Sequence, residues 1–297
     1  MLSSFSTYPL VSVITVNYNQ PQVTREFLDS FHQITYPNYE VFVVDNGSPQ
    51  HDVKSLKPDY PWVKFIYSKE NLGFAGGNNV AIQQAKGEYL LLLNNDTEVP
   101  KGFLEPLVKV MQSNPQIGMA SPKIKYFYED NLIQYAGAPE ISVLTGRGEP
   151  YGKKQKDEGQ YDKSGPTSYI HGAAVIVSKK VLEKTGSMHD DYFLYYEELD
   201  WCKRCRNDGF LVWYVAESTV LHKESVSTGR NSPLKMFYLT RNRLWFMRRN
   251  FKVWQWLISF SFFTFVSIPK NLLVFLKNRQ FEYFKPFLNG YLQSFKG

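Results

Sequence analysis

The sequence predicts an α/β protein: a mostly parallel central sheet flanked by helices, followed by a basic, aromatic helical tail. Two observations predict the sheet. Apolar runs alternate with stretches of helical spacing over the first hundred residues, which calls for parallel strands joined by right-handed crossovers. Several of those runs also stop abruptly in Asn or Asp, as strands do where an open sheet meets a ligand. A third observation predicts the tail: the basic charge is concentrated at the end of the chain.

Residues 11–16 form an apolar, β-branched run, with Thr15, Asn17, Tyr18 and Asn19 at its end. Residues 21–33 show helical spacing in Val23, Phe27, Leu28 and Phe31. Residues 39–44 read as the next strand, ending in the turn sequence Asp45-Asn46-Gly47-Ser48. A third strand covers 63–67, a Gly-rich turn 71–79, and a helix 80–86 with Gly87 as its stop. Leu90 to Leu93 are apolar without alternation, as in a strand covered on both faces, and give way at once to Asn94, Asn95 and Asp96. A helix from Phe103 to about Ser113 follows. Residues 126–167 are rich in Gly, Tyr and charge, with weak periodicity, and read as a loop. A strand at 175–177, a helix at 197–207 closed by Gly209, and two short strands at 212–215 and 218–221 lead to His222.

The 297 residues are enough for one large domain or a domain with an appendage, divided here as 1–250 and 251–297. With 43% hydrophobic and 16% aromatic residues a sizeable core is available. Cys202 and Cys205 alone exclude a disulfide framework, and their C-x-x-C spacing inside a helix reads as structural, in a reduced, cytoplasmic setting. Residues 1–9 carry no positive n-region and 11–16 is too short for a signal core, so no secretion leader is expected. From Lys235 onward there are eleven Lys or Arg and one acid, Glu282, a net +10 that leaves −4 for the rest. The basic balance thus belongs to the tail, and no nucleic-acid partner is expected. Within that tail, 253–268 has no charge and holds Trp254, Trp256, Phe260, Phe262, Phe263 and Phe265 between basic flanks. A spanning helix needs about 20 apolar residues. Pro269 and Lys270 interrupt this one, so a helix or shallow hairpin lying on an anionic leaflet is expected, with a buried helix pair as the alternative.

Strands of one direction end on one edge, so Asn17, Asn19, Asp45 and Asp96 can converge there. A carboxylate at such a lip is costly without a task. A metal ion joining Asp96 to phosphate oxygens would supply one, and a polar turn is the alternative. Asp45 can accept hydrogen bonds from a nucleobase or a ribose, or can shape an Asx turn before Gly47. The run 71–79 matches neither a Walker loop nor a dinucleotide fingerprint, but its glycines let a backbone approach a ligand before a helix N-terminus. Glu197, Glu198 and Asp200 fall at a helix start, where the macrodipole favours acids in any case. The aromatic run 192–196 would bring them to a pocket, where a carboxylate can act as general base.

In order and spacing, these stretches resemble family 2 glycosyltransferases, inverting, metal-dependent enzymes with the Rossmann-like GT-A fold, and most closely their rhamnosyltransferase and galactofuranosyltransferase branch. The resemblance covers residues 10 to about 250 and rests on 11–19, 44–48, 71–78, 93–97, 196–202, His222 and Arg241-Asn242-Arg243. It implies that Asp45 holds the nucleobase, with Thr15, Asn17, Asn19, Asn71, Gly73 and Asn95 also on the nucleotide. Asp96 matches the last position of the family's D-x-D metal signature, and His222 the histidine that completes coordination of Mn²⁺ or Mg²⁺. Glu198 matches the second acid of a Glu-Asp pair, the general base; Glu197, Asp200 and Gly172 would lie by the sugars, and either acid could substitute as base. Two departures stand out: Asn94 replaces the usual Asp, and Glu198 is one methylene longer than the usual Asp.

The resemblance further implies a dTDP- or UDP-sugar donor, L-rhamnose being favoured, and a saccharide or polyprenyl-linked acceptor. The setting implied is cell-surface polysaccharide synthesis, at the cytoplasmic face of the membrane. A sugar nucleotidyltransferase would want a basic Gly-rich loop after the first strand, and residues 17–21 contain no basic residue. A non-catalytic nucleotide-sugar-binding protein is the other rival.

Overall fold

The computed structural model describes residues 8–224 and 232–296; the expectations for the first residues and the last fall partly outside them. In chain order the elements are β1 (Val11–Asn17), α1 (Pro21–Phe31), β2 (Tyr39–Asp45), β3 (Val63–Tyr67), α2 (Gly73–Ile82), β4 (Tyr89–Leu93), β5 (Thr97–Glu98), α3 (Leu104–Ser113) and β6 (Ile117–Tyr126). There follow β7 (Ile133–Tyr135), β8 (Gly165–Pro166), β9 (Ala174–Ser178), α4 (Lys179–Thr185), α5 (Glu197–Asn207), β10 (Leu211–His222), α6 (Pro233–Asn250), α7 (Val253–Phe262), α8 (Ile268–Lys277) and α9 (Phe284–Gln293).

The apolar runs without alternation do become strands covered on both faces: β4 is buried throughout, and β1 nearly so. The sheet order is β3-β2-β1-β4-β9-β6-β10-β5. Strands β1 to β4, β6 and β10 share one direction; β9 runs against its neighbours β4 and β6. The carboxyl ends of β1, β2, β4 and β10 therefore lie along one edge. Because β9 is reversed, its amino end and the preceding residues 171–173 reach that same edge. The pairing Asn17↔Asp45 closes the β1–β2 ladder with two polar groups side by side.

The structure corrects four local readings. The Gly-rich stretch is not a turn but the opening of α2. A Cβ on Gly77 would lie 3.0 Å from the Val16 side chain and 3.2 Å from that of Asn46, so close helix–sheet packing selects glycine against its poor helix propensity. Residues 212–221 form one strand, β10, with a register irregularity between Val215 and Thr219. The segment 126–167 contributes β7 and β8 and is pinned by buried Lys123, whose Nζ donates to Asp157 and Asp162. Its polar residues serve one another, which masks their periodicity.

The fourth correction concerns the tail. Pro269 does not interrupt the helix. A π-helical turn, Phe263–Ser267, joins α7 to α8, and Pro269 sits in the first turn of α8, where its missing N–H is tolerated. The result is a 25-residue helix, Val253–Lys277, containing an 18-residue stretch of mean hydropathy 1.5, long and apolar enough to cross a membrane by length and composition. Its outer face leaves Val253, Trp254, Leu257, Phe265 and Leu273 more than half exposed. Its inner face packs Phe263 and Phe275 with Phe287 of α9 against residues 244–247 of α6 and against Tyr192 and Tyr196. An apolar cluster thus crosses the division at residue 250 and ties the tail to the segment before α5.

Candidate active site

Asp96 and His222 meet because β5 turns straight back from Asp96 and pairs antiparallel with the end of β10, His222 opposite Thr97. The Lys223 N–H also donates to the Asp96 carbonyl, at 2.8 Å. His222 Nε2 lies 3.1 Å from Asp96 Oδ1, yet makes no hydrogen bond among the described residues. On its other side His222 Nδ1 is 2.7 Å from Gln134 Oε1 on β7. An amide oxygen can only accept, so Nδ1 carries a proton, and in the neutral ring, the form that binds a metal, the Nε2 lone pair faces a carboxylate oxygen. Two acceptors 3.1 Å apart suit a shared cation. Cis ligands of an octahedral ion with bonds of about 2.1 Å stand about 3.0 Å apart, and metal-binding imidazoles commonly donate their second N–H to a carbonyl. Among the described residues no third His, Cys, Asp or Glu joins the pair, which leaves further positions on an ion to phosphate and water.

Beside His222 stands His171, its ring edge-on at 5.8 Å between centroids. Burial holds its pKa down to about 3, so it is neutral, and its Nδ1 accepts from the Ala173 N–H. The next residue, Gly172, faces Glu198: a Cβ there would lie 3.9 Å from the Glu198 carboxyl carbon. Residues 171–172 therefore connect the Asp96–His222 pair to the acid on α5.

Burial raises the pKa of both Glu197 and Glu198, the latter to about 6, against the backbone N–H groups of the helix start that favour the charged form. One oxygen of each, Oε2, is buried with no hydrogen-bond partner among the described residues. The segment leading to them is strained: Phe193, Tyr195 and Tyr196 have φ of 64°, 70° and 75°. Non-glycine residues in that region cost about 1–3 kcal/mol each and persist only where the surroundings impose them. Here α6 imposes them. The Asn242 amide donates to the carbonyls of Tyr192, Leu194 and Tyr195 at 2.7–2.8 Å, and Arg241 Nη2 to those of Asp191 and Tyr192 at 2.9 Å.

The side expected to hold the nucleotide is built differently. Asp45 Oδ1 accepts from the Ser48 N–H at 2.9 Å, and Oδ2 from Asn17 Nδ2 at 3.2 Å and the Val53 N–H at 3.1 Å. Asn19 (φ 56°) accepts from the Gln50 and His51 N–H groups. Asn46 bridges Asn71 Oδ1 and the Gly73 carbonyl. Asn95 donates to Thr24 Oγ1 at 3.0 Å.

Four of the expected contacts are buried or engaged within the protein. Thr15 and Asn17 are fully buried; Asn17 donates to Asp45, while Thr15 Oγ1 has no hydrogen-bond partner among the described residues. Gly73 (φ +71°) is required because a Cβ would lie 2.1 Å from the Phe193 carbonyl oxygen, so its close approach is to protein. Asp200 lies about 200° around α5 from Glu198. Its carboxylate accepts from Tyr192 Oη, Asn250 Nδ2 and Arg204 Nε. Sequence reasoning missed His171 and Gln134. The first had a signal, being next to Gly172; the second sits in the stretch read as a loop and had none.

The profile described as "Glycosyl transferase family 2" matches residues 12–186, more than half of the chain. The chain belongs to this family. This glycosyltransferase is 26% identical over 241 residues to the "Low-salt glycan biosynthesis hexosyltransferase Agl10" of Haloferax volcanii, covering 78% of this chain and 74% of that one. It is 24% identical to the "N-acetylglucosaminyl-diphospho-decaprenol L-rhamnosyltransferase" of Mycobacterium tuberculosis (75% and 78% covered) and 26% to the "dTDP-rhamnosyl transferase RfbF" of Shigella flexneri (88% and 87%). Two other relatives are longer proteins of which it spans 28% and 18%. Its fold is that of GT-A glycosyltransferases. The mannosyltransferase PcManGT of Pyrobaculum calidifontis, solved with GDP-Man and Mn²⁺, superposes with a TM-score of 0.62 at 15% identity, over 97% of this chain and 87% of that one. GalNAc-T7, solved with UDP, GalNAc and Mn²⁺, gives 0.63 at 18% identity, over 76% and 46%.

Proposed function

We propose that this glycosyltransferase transfers a sugar, with inversion, from a nucleoside-diphosphate sugar to a hydroxyl of a lipid-linked saccharide. The carrying observation is the continuous path along one sheet edge from the Asp96–His222 pair, through His171 and Gly172, to Glu198. Asp96 Oδ1 and His222 Nε2 would hold Mn²⁺ or Mg²⁺, which when bound supplies charge neutralisation for the departing diphosphate. Gln134 keeps the His222 lone pair directed at that position. Asp45, Asn19, Asn71 and Asn95 form the donor's side. Glu198 takes the proton of the acceptor hydroxyl as its oxygen bonds to the anomeric carbon; the bond from that carbon to the phosphate oxygen breaks, and the nucleoside diphosphate leaves. Neutral His171 adds no charge where the diphosphate forms.

The names of the Mycobacterium and Shigella relatives favour L-rhamnose as the transferred sugar, from dTDP-rhamnose, and the former favours a polyprenyl-diphosphate acceptor. A cytoplasmic position on the inner face of the membrane, with the exposed face of α7 and α8 as contact, agrees with both and with a role in cell-surface polysaccharide synthesis. The test is release of nucleoside diphosphate from a panel of nucleotide sugars with Mn²⁺ and an acceptor. The expected result is turnover that a chelator removes and Mn²⁺ restores. Release of inorganic diphosphate would point to a nucleotidyltransferase, and donor binding with no release to an inactive binding protein; either sinks the proposal.

A further inference from the structure

Near Glu198 lies a group of polar side chains that the chemistry above does not use. Arg243 on α6 is 4% exposed, has no acidic or hydrogen-bonding partner among the described residues, and its Nε is buried and unpaired. Its guanidinium stands over the ring of Phe263, 4.4 Å from the centroid. Burial, and after it the charge of a second cation, Arg147, lowers its pKa to about 10. Both arginines flank Gly146. A Cβ on that residue would lie 3.1 Å from Arg243 Cγ, its carbonyl accepts from Tyr196 Oη at 3.0 Å, and Arg147 follows it in the chain. Tyr169, 6% exposed, points its hydroxyl at the same loop, 2.9 Å from where a Cβ on Gly148 would sit, and that hydroxyl too is buried without a partner. Tyr169 and Tyr196 both lie within the field of Glu198.

Burying a guanidinium beside another cation, with no anion, is a cost of several kcal/mol that a fold meets only when something else supplies the counter-charge. A neighbouring buried hydroxyl with its donor unspent points to the same missing group: an anion that accepts several hydrogen bonds. On the function proposed above, the nucleotide's diphosphate belongs with Asp96 and His222, whereas Arg243 and Arg147 act on Tyr196, which also feels Glu198. What lies beyond Arg243 narrows the choice. Phe263, on which it stacks, is on the inner face of the Val253–Lys277 helix, whose outer face exposes Val253, Trp254, Leu257 and Phe265. An anion next to an unpaired apolar helix describes an amphiphile with a phosphate head.

We propose that Arg147, Arg243 and the Tyr169 hydroxyl bind the diphosphate of a lipid-linked acceptor, with its hydrocarbon chain along the exposed face of α7. This rests on the function proposed above and names the group by which that enzyme holds its acceptor. Seated there, the diphosphate would leave the acceptor sugar near Glu198.

The probe is farnesyl diphosphate, titrated calorimetrically into the full chain pre-saturated with Mn²⁺ and UDP, so that the metal side is filled. The expected result is one-to-one binding, weakened about tenfold or more in Arg147→Glu and in Arg243→Gln, as for loss of a charge-assisted hydrogen bond. Arg147 is exposed, with no side-chain hydrogen bond or ion pair among the described residues, so its variant is expected to fold; both variants are checked by their thermal transitions. Farnesol alone should bind at least tenfold more weakly, and inorganic diphosphate likewise. Equal binding by wild type and Arg147→Glu, competition with UDP, or inorganic diphosphate binding as well as the farnesyl ester would each overturn the proposal. Nucleotide-sugar turnover, measured in parallel on the wild type, shows separately whether the enzymatic reading fails.

Discussion

The two lips of the cleft are built on opposite principles. On the lip proposed for the nucleotide, Asn17, Asn19, Asp45, Asn46 and Asn71 are bound to one another and to turn N–H groups, with the Thr15 hydroxyl as an exception, unpaired among the described residues. On the lip proposed for the acceptor, Tyr169, Glu197, Glu198 and Arg243 keep buried polar atoms without partners among the described residues, and the chain before α5 is strained. A saturated network is rigid and offers a shaped surface; unsatisfied groups store energy that a ligand releases when it pairs them. The comparison teaches that unspent polarity, more than polarity itself, marks where charge and protons move in this molecule.

Four measurements break or sharpen that contrast. The largest effect is expected for Glu198→Gln, which keeps the shape and removes the base: transfer falls about 10²–10⁴-fold while donor binding persists. Retained transfer would hand the role to Glu197. Next, Gln134→Leu leaves both metal ligands in place but frees the His222 tautomer, and should weaken Mn²⁺ affinity about 10–100-fold; unchanged affinity would mean that His222 is no ligand. Third, Asn242→Ala removes the donor to the Leu194 and Tyr195 carbonyls of the strained segment and leaves that of Tyr192 to Arg241 alone. It should destabilise the fold by about 2 kcal/mol and lower kcat with little change in donor KM. A rise in donor KM alone would place the segment on the nucleotide lip. The smallest effect is on pH. Only ionised Glu198 accepts a proton, and burial raises its pKa from 4.5 to about 6. Activity should therefore fall tenfold per unit as pH drops below about 6, and this limb should disappear from the residual activity of Glu198→Gln.

Much of the nucleotide lip was legible because it is made of strand ends. An apolar run that halts in Asn17, Asp45 or Asp96 announces both the strand and the edge where it stops, and parallel pairing does the rest. Helix α5 was legible to the residue, from Glu197 to Asn207. Less could be read where one element spends its side chains on another. The glycines of α2 look like a turn until β1 and β2 are packed against them. The polar residues of 126–167 look like a loop until Lys123 gathers Asp157 and Asp162.

By itself the sequence determined the alternation of strands and helices, the edge on which Asp45 and Asp96 would fall, the acidic start of α5, and an aromatic, basic tail. These follow from periodicity and composition, which are local. The tertiary structure alone decided that Gln134 fixes the Nδ1 proton of His222, that Asn17 and Asp200 spend their side chains on protein partners, that Asn242 holds the strained approach to Glu198, and that Arg243 is buried without an acidic partner among the described residues. Each of these depends on which groups remain unpaired after the chain has packed, and pairing between residues distant in sequence is settled only in three dimensions.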